Sequence, residues 1–244
     1  MDSVGTGVTG QFPSLEGLPP TNDDGQGTQH TYVPWWGYEK QKELGFARGY
    51  HIEIGGGRRM PSMGLAGIIP DDETSVGDAL RQKLRDRFGS VIGFDGRGEM
   101  IPNENSYCEL HPNAVDRFGI PVLRFHCQFP AYEYNQAKHM QETFRALIAE
   151  MGGEVFSPMP TREQNYGISN GGQIIHELGC VQMGADPKSS VLDANCRAHD
   201  CRNLFVADGG PFVSQADKNP TWTILALAWR TADYITQQRK QGAL

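Results

Sequence analysis

Hydrophobic and polar positions alternate with a two-residue period in the region around residue 50. Tyr50, Ile52 and Ile54 fall on one side of an extended chain, and His51 and Glu53 fall on the other. This alternation predicts a strand with one apolar face, which the glycine run after it would end.

Similar patterns predict four more elements before residue 152. Apolar residues recur every third or fourth position in two stretches, as in amphipathic helices, and they alternate with polar residues at 122–129. The predicted elements are strands at 103–108 and 122–129 and helices at 71–88 and 133–151. Together they indicate an antiparallel sheet with helices on one side. Residues 1–45, rich in Gly, Pro, Asn and Asp, are expected to form loops or edge strands.

The pattern changes after about residue 160. Residues 204–207 form a short, continuously apolar run, which is typical of a strand buried on both faces. A helix predicted at 220–235 is apolar on most of its sides, so it should pack in a core. The second part of the chain is therefore expected to be a separate structural unit that packs against something large.

Composition limits the possible functions. The 244 residues are 38% hydrophobic, enough for a packed core, and the formal net charge of −7 argues against a nucleic-acid partner. The sequence has no apolar run long enough for a membrane span, and it begins without the pattern of a signal peptide. The default expectation is a cytoplasmic location.

Two local motifs are set aside. Cys196, His199 and Cys201 lie close together, but structural zinc needs four ligands and no second pair exists, so we expect no metal. The five cysteines are expected to be free thiols. Residues 5–10 match G-x-G-x-x-G, yet no strand precedes them and no helix follows, so a nucleotide-binding loop is rejected.

The candidate chemistry lies near the end of the chain. His176 stands among small residues that allow close approach to a ligand, and Asp208 ends the predicted buried strand before two glycines. Asn219 and Pro220 suit a helix start, with Asn219 as the cap, a substrate ligand or both. For Asp208 the plain alternative is an Asp-Gly turn.

These pieces together resemble the C-terminal region of the glucose-methanol-choline (GMC) flavoprotein oxidoreductases. The resemblance covers nearly the whole chain and is nearest to the sugar-oxidising branch, such as pyranose oxidases and sugar dehydrogenases. The matching segments are His-x-x-Gly-Cys-x-x-Met-Gly-x-Asp-Pro at 176–187, Val-x-Asp at 191–193, Asn-Leu-x-Val-x-Asp at 203–208 and Asn-Pro-Thr-x-Thr at 219–223.

The resemblance implies an FAD-dependent oxidation of a CH–OH group in a sugar or other alcohol. His176 would be the catalytic base and Asn219 its catalytic partner, orienting the substrate oxygen. The cofactor FAD would be contacted by Asp208, Gly209, Pro220 and Thr221. Two polar strand faces are candidates for binding the sugar, and their residues are His51, Glu53, Arg124 and His126.

The same resemblance implies an α+β fold with two parts. Residues 1–165 would be a substrate-binding domain, and 166–244 a flavin-facing strand–helix segment that completes an α/β domain. The ADP-binding βαβ unit of such enzymes is missing from this sequence, and a separate chain could supply that half. The chain is then a fragment, half of a split enzyme, or a non-catalytic module that binds carbohydrate or a partner. A metal hydrolase lacks a credible ligand set.

Overall fold

A computed structural model describes residues 1–19, 21, 31–46, 48–58 and 74–243. The described chain divides into two compact units. Unit A comprises residues 4–98 and 131–169, and unit B comprises residues 1–3, 99–130 and 170–244. In chain order the elements are β1 (Val4–Gln11), β2 (Thr31–Trp36), α1 (Gln41–Leu44), β3 (Tyr50–Gly56), α2 (Gly77–Arg87), β4 (Val91–Gly98), β5 (Tyr107–Val115), β6 (Pro121–His126), α3 (Ala131–Glu150), β7 (Glu154–Val155) and α4 (Thr221–Lys240).

Unit A is an antiparallel sheet covered by a helix. Its strand order is β2-β3-β4-β1-β7, and α3 packs on β1 and β4. The predicted strand near residue 50 and the predicted antiparallel sheet are confirmed. Side chains from the sheet and from α3 form the core, and they are Val8, Phe12, Phe46, Tyr50, Ile52, Phe94, Met140, Phe144 and Ile148.

The helix α3 matches its predicted pattern closely. Met140, Phe144 and Ile148, spaced four residues apart, are fully buried. Gly152 has a φ of 76° just after the helix, the left-handed conformation in which glycine commonly ends helices. The other helix predicted in this part is shorter than expected, since α2 begins at Gly77. The part of that prediction from 71 to 73 lies outside the described residues.

The expectation of loops or edge strands in residues 1–45 was wrong for β1. This strand is interior and pairs with β4 on one side and β7 on the other. The sequence pattern did not predict this strand because it is rich in glycine, which is uncommon in strands. Here neighbouring atoms fill the space that larger side chains would need. A side-chain carbon on Gly7 would lie 2.3 Å from Asp95 Oδ1, and one on Gly10 would lie 2.6 Å from Ile148 Cγ2. The G-x-G-x-x-G match is thus strand, which confirms its rejection as a nucleotide-binding loop.

Unit B contains the β5–β6 hairpin, a long irregular segment and α4. Every residue of β6 except the half-buried His126 is exposed. The predicted buried strand at 204–207 was wrong: the described segment makes a single bridge, between Arg197 and Phe205, and Leu204 is 53% exposed. A strand that is buried on both faces lies inside a sheet, and among the described residues this segment pairs only through that one bridge.

The helix α4 forms where an apolar helix was predicted, but the described chain leaves most of it uncovered. Thr231 is its only buried residue. Trp222 is 84% exposed and Trp229 is 74% exposed. Among the described residues, no helix combines the length and the apolar character that crossing a membrane would require.

Candidate active site

His176 is half-buried in unit B and is held through its Nδ1 atom. This atom lies 3.1 Å from the hydroxyl oxygen of Ser3. The same oxygen accepts a hydrogen bond of 3.0 Å from the side-chain amide of Gln215, and both Ser3 and Gln215 are fully buried. The imidazole is therefore tied to a buried polar chain of two side chains, neither of which the sequence motifs had singled out.

Three segments that are distant in sequence meet at Gly209. Its carbonyl accepts a hydrogen bond of 3.0 Å from the backbone N–H of Gly179. A side-chain carbon on Gly209 would lie 2.5 Å from Leu178 Cδ2 and 3.7 Å from Ile224 Cδ1. The segment after His176, the Asp-Gly-Gly turn and the first turn of α4 are thus packed together, and this packing explains why a glycine stands there.

Asp208 forms a turn with its own backbone. Its Oδ1 atom accepts a hydrogen bond of 2.7 Å from the N–H of Gly210, and the residue is exposed. This is the Asp-Gly turn named above as the plain alternative. The turn also orients the carboxylate, so the observed geometry is compatible with either role.

The start of α4 differs from the arrangement expected for a capping asparagine. Pro220, not Asn219, occupies the N-cap position: its carbonyl accepts the first intrahelical bond, from Ile224, and no side-chain capping hydrogen bond is present. The expectation that Asn219 is the cap was therefore wrong, because the helix begins one residue later. Asn219 and Thr221 are exposed, and Pro220 is buried.

A cleft of about 450 Å³ in unit B borders the His176 segment. Its lining includes Glu177, Cys180 and His126. The ring of His126 stacks on Tyr107 with centroids 4.3 Å apart, and its Nε2 lies 2.9 Å from Glu109 Oε1. Of the predicted substrate residues, His126 is thus brought close to the segment that carries the candidate base.

The thiols at this cleft are shifted toward their protonated forms. Burial, followed by the nearby Asp2 carboxylate, raises the pKa of Cys127. Burial and a hydrogen bond with Cys108 raise the pKa of Cys180. These cysteines are poor candidates for thiolate nucleophiles, because the thiolate is the reactive form.

The other predicted substrate residues lie elsewhere. His51 and Glu53 belong to unit A, where both are buried and their side chains are 3.1 Å apart. Arg97 approaches Glu53 at 3.8 Å. Arg124 is exposed on β6 and is not part of the lining of the cleft.

The Cys196–His199–Cys201 cluster has its own local partners. His199 Nε2 lies 3.0 Å from the Ser190 hydroxyl oxygen, and the Cys201 thiol donates a hydrogen bond to Asn203 Oδ1. Cys196 is buried. Within the described residues, no group of three or more His, Cys, Asp or Glu side chains is placed to hold a metal ion.

With this geometry in place, comparison with known proteins is decisive for the family. A family model described as GMC oxidoreductase matches residues 102–228, just over half of the chain. The chain belongs to the GMC oxidoreductases. The matched span contains His176, Asp208 and Asn219, so the predicted resemblance is confirmed.

Two of the similar relatives are dehydrogenases by name. The fructose dehydrogenase large subunit of Gluconobacter japonicus is 30% identical over 167 residues, which cover 68% of this chain and 29% of that protein. The gluconate 2-dehydrogenase flavoprotein of Pantoea cypripedii is 24% identical over 194 residues, 80% of this chain and 31% of that protein. This GMC chain therefore spans about a third of the length of these curated relatives.

A solved structure supports the fold. The crystal structure of formate oxidase matches 99% of this chain and 47% of its own, with a TM-score of 0.62 and 13% identity. At this identity the likeness concerns the fold alone. The mixed α/β architecture with an antiparallel sheet, expected from the sequence, is that of a GMC oxidoreductase.

Proposed function

We propose that this chain is the C-terminal portion of an FAD-dependent oxidoreductase that acts on CH–OH groups of a sugar or another alcohol. The observation that carries the proposal is the convergence at Gly209 of the His176 segment, the Asp208 turn and the start of α4. All three segments belong to the span that matches the GMC family.

His176 is proposed as the catalytic base and Asn219 as its partner. The imidazole would take the hydroxyl proton of the alcohol, a task that suits a side chain titrating near neutral pH. The Asn219 amide would orient the substrate oxygen. Bound FAD would supply the acceptor for the hydride.

The residues present fit such a cofactor. The first turn of α4 carries no side-chain cap, and Thr221 at its start is exposed. Backbone N–H groups and the positive end of the helix dipole would there favour negative charge on a flavin ring edge. Asp208, held by its own turn, would accept hydrogen bonds from hydroxyl groups of the cofactor chain, and Gly209 and Pro220 would supply backbone contacts.

The rest of the cofactor site would come from an N-terminal FAD-binding half. The exposed apolar face of α4 and the exposed Leu204 in the apolar run at 204–207 support this, because such surfaces normally pack inside a protein. The stretches of this chain that match the two relatives also cover only 29% and 31% of the lengths of those proteins. The half could be a separate chain or a preceding segment.

Substrate recognition is proposed for the polar strand faces. His126 is the best supported, because it lines the cleft beside Glu177. His51, Glu53 and Arg124 are retained as weaker proposals. The exposed Tyr107 ring stacked on His126 also suits the face of a sugar, so a carbohydrate-binding module without catalysis is the second candidate function.

Flavin reduction separates the two functions. FAD is added to the purified chain, alone and with the polypeptide encoded immediately upstream, and a pyranose is then added without oxygen. Bleaching of the flavin supports the oxidoreductase. His176→Ala should slow the bleaching by on the order of 10²-fold or more, the usual contribution of a general base.

The matched control is His199→Ala. His199 is also half-buried and also bonded to a serine hydroxyl, but it lies outside the convergence at Gly209. In His199→Ala the flavin should bleach at nearly the wild-type rate. Sugar binding with no flavin bound under either condition would favour the binding module and overturn the oxidoreductase.

A further inference from the structure

With the Gln215 amide oriented as it is in this structure, the hydrogen bonds from Gln215 through Ser3 to His176 run in one direction. The Gln215 amide N–H donates to Ser3 Oγ at 3.0 Å. Ser3 is fully buried, and among the described residues the acceptor available to its hydroxyl hydrogen is His176 Nδ1, at 3.1 Å. Buried hydroxyl groups donate where an acceptor is in reach, so the Ser3 hydroxyl donates to Nδ1.

This direction determines where the imidazole carries its proton. A neutral histidine has one protonated and one unprotonated ring nitrogen. Because Nδ1 accepts from Ser3, the proton is on Nε2, and the outer edge of the ring is a hydrogen-bond donor. If His176 acts as a base through Nε2, it needs the opposite tautomer. In that tautomer Nδ1–H donates to the Ser3 hydroxyl, and the Ser3 hydroxyl must donate to another acceptor.

Gln215 holds the atom that the opposite direction requires. Its carbonyl oxygen, Oε1, is buried and has no hydrogen-bond partner among the described residues. A half-turn of the amide would exchange its oxygen and nitrogen and present Oε1 to Ser3. The Ser3 hydroxyl would then donate to Gln215, and its oxygen would accept from His176 Nδ1–H, which leaves Nε2 as the unprotonated ring nitrogen, the one that can take a proton.

We propose that Gln215, acting through Ser3, is a positioning residue that selects which ring nitrogen of His176 is protonated. In the chain without cofactor the amide nitrogen faces Ser3, and His176 is a hydrogen-bond donor; with the carbonyl oxygen toward Ser3, His176 would be a base. The proposal rests on the proposed function for its catalytic meaning, whereas the tautomer itself is a property of this chain without cofactor.

The test is nitrogen NMR of the full chain labelled with ¹⁵N-histidine, at alkaline pH where imidazole is neutral. The signals of His176 are assigned by their loss in His176→Gln. We expect its Nε2–H form to exceed the Nδ1–H form roughly fivefold or more, the ratio that one net hydrogen bond sustains. A predominant Nδ1–H form in the wild type would overturn the proposal.

Gln215→Glu sharpens the test, because an ionised carboxylate only accepts hydrogen bonds. Ser3 must then donate to Glu and accept from His176, so the Nδ1–H form should become the major one. An unchanged Nε2–H form in the folded variant would also overturn the proposal. If this variant does not fold, the wild-type tautomer decides.

The matched control is the pair formed by His199 and Ser190. The Ser190 hydroxyl donates to the Asp186 carbonyl at 2.8 Å, so it must accept from His199 Nε2–H at 3.0 Å. Ser190→Ala should change the His199 signals alone, and Gln215→Glu should leave them unchanged. No flavin is involved, so a failure of the oxidoreductase proposal would appear separately, as absent bleaching with these tautomers intact.

Discussion

Unit A and unit B bury their apolar residues to very different extents. In unit A, β3, β4 and α3 enclose a continuous core in which Tyr50, Ile52 and Phe144 are fully buried. In unit B, the helix of greatest apolar content has one buried residue, and Trp222 and Trp229 are largely exposed. Unit A buries its apolar side chains in its own core, whereas unit B leaves exposed the kind of apolar side chains that usually lie in a core.

The difference shows that the two units depend on different partners for stability. The sheet of unit A has its own covering helix, so its free energy of folding comes from contacts within the chain. In unit B, by contrast, backbone hydrogen bonds around Gly209 and Leu192 stabilise the irregular segment. Its apolar surface gains its stabilisation when something covers it.

Removing a core ring from unit A should have the largest effect. Phe144→Ala leaves a cavity under the sheet and should lower the free energy of unfolding by about 3–5 kcal/mol. Trp222→Ala, a larger truncation at an 84% exposed position, should change it by less than about 0.5 kcal/mol. Urea denaturation of the full chain measures both changes in the free energy of unfolding. Equal decreases in the two variants would contradict the difference in burial between the two units.

A glycine change in β1 should have an intermediate effect. In Gly10→Ala the new carbon meets Ile148 Cγ2 at 2.6 Å, and overpacking of this kind costs about 1–3 kcal/mol. Gly93→Ala on the neighbouring strand is the control, since its nearest contact is Thr9 Oγ1 at 3.8 Å. Thermal unfolding should separate the two; similar midpoints would show that β1 is not tightly packed.

Changes on the face of α4 should act on association, with little effect on unfolding. Replacing Trp222 and Trp229 together by Gln removes most of the aromatic surface that the helix exposes. We expect several-fold weaker binding of the proposed N-terminal half, measured by sedimentation velocity. Unchanged association would mean that this face is not the docking surface.

Acidification should weaken unit A slightly. Burial lowers the pKa of His139, whose Nδ1 lies 3.0 Å from the Tyr50 hydroxyl. The unfolded chain then binds more protons than the folded one below the ordinary value of about 6.5, so stability falls as the pH falls through that value. In His139→Gln the pH slope of the unfolding free energy should be shallower near pH 6, and an identical slope would contradict this origin.

The candidate site was only partly predictable. His176, Asp208 and Asn219 could be proposed from the sequence because their motifs are local, each within a few residues. Ser3 and Gln215 belong to no pattern, and they are 212 positions apart. Only folding brings them to the same imidazole. The run at 204–207 was misread because burial of a strand depends on neighbours that its own residues do not encode.

The sequence by itself determined the elements whose period is local, such as β3 and α3, and the family to which the chain belongs. The tertiary structure decided the rest. It placed the glycine-rich β1 inside a sheet, because close packing there excludes side chains, and it left α4 uncovered, because its packing partner is not among the described residues. It also brought Ser3 and Gln215 to the imidazole of His176, because these residues are far apart in the sequence and meet only in the folded protein.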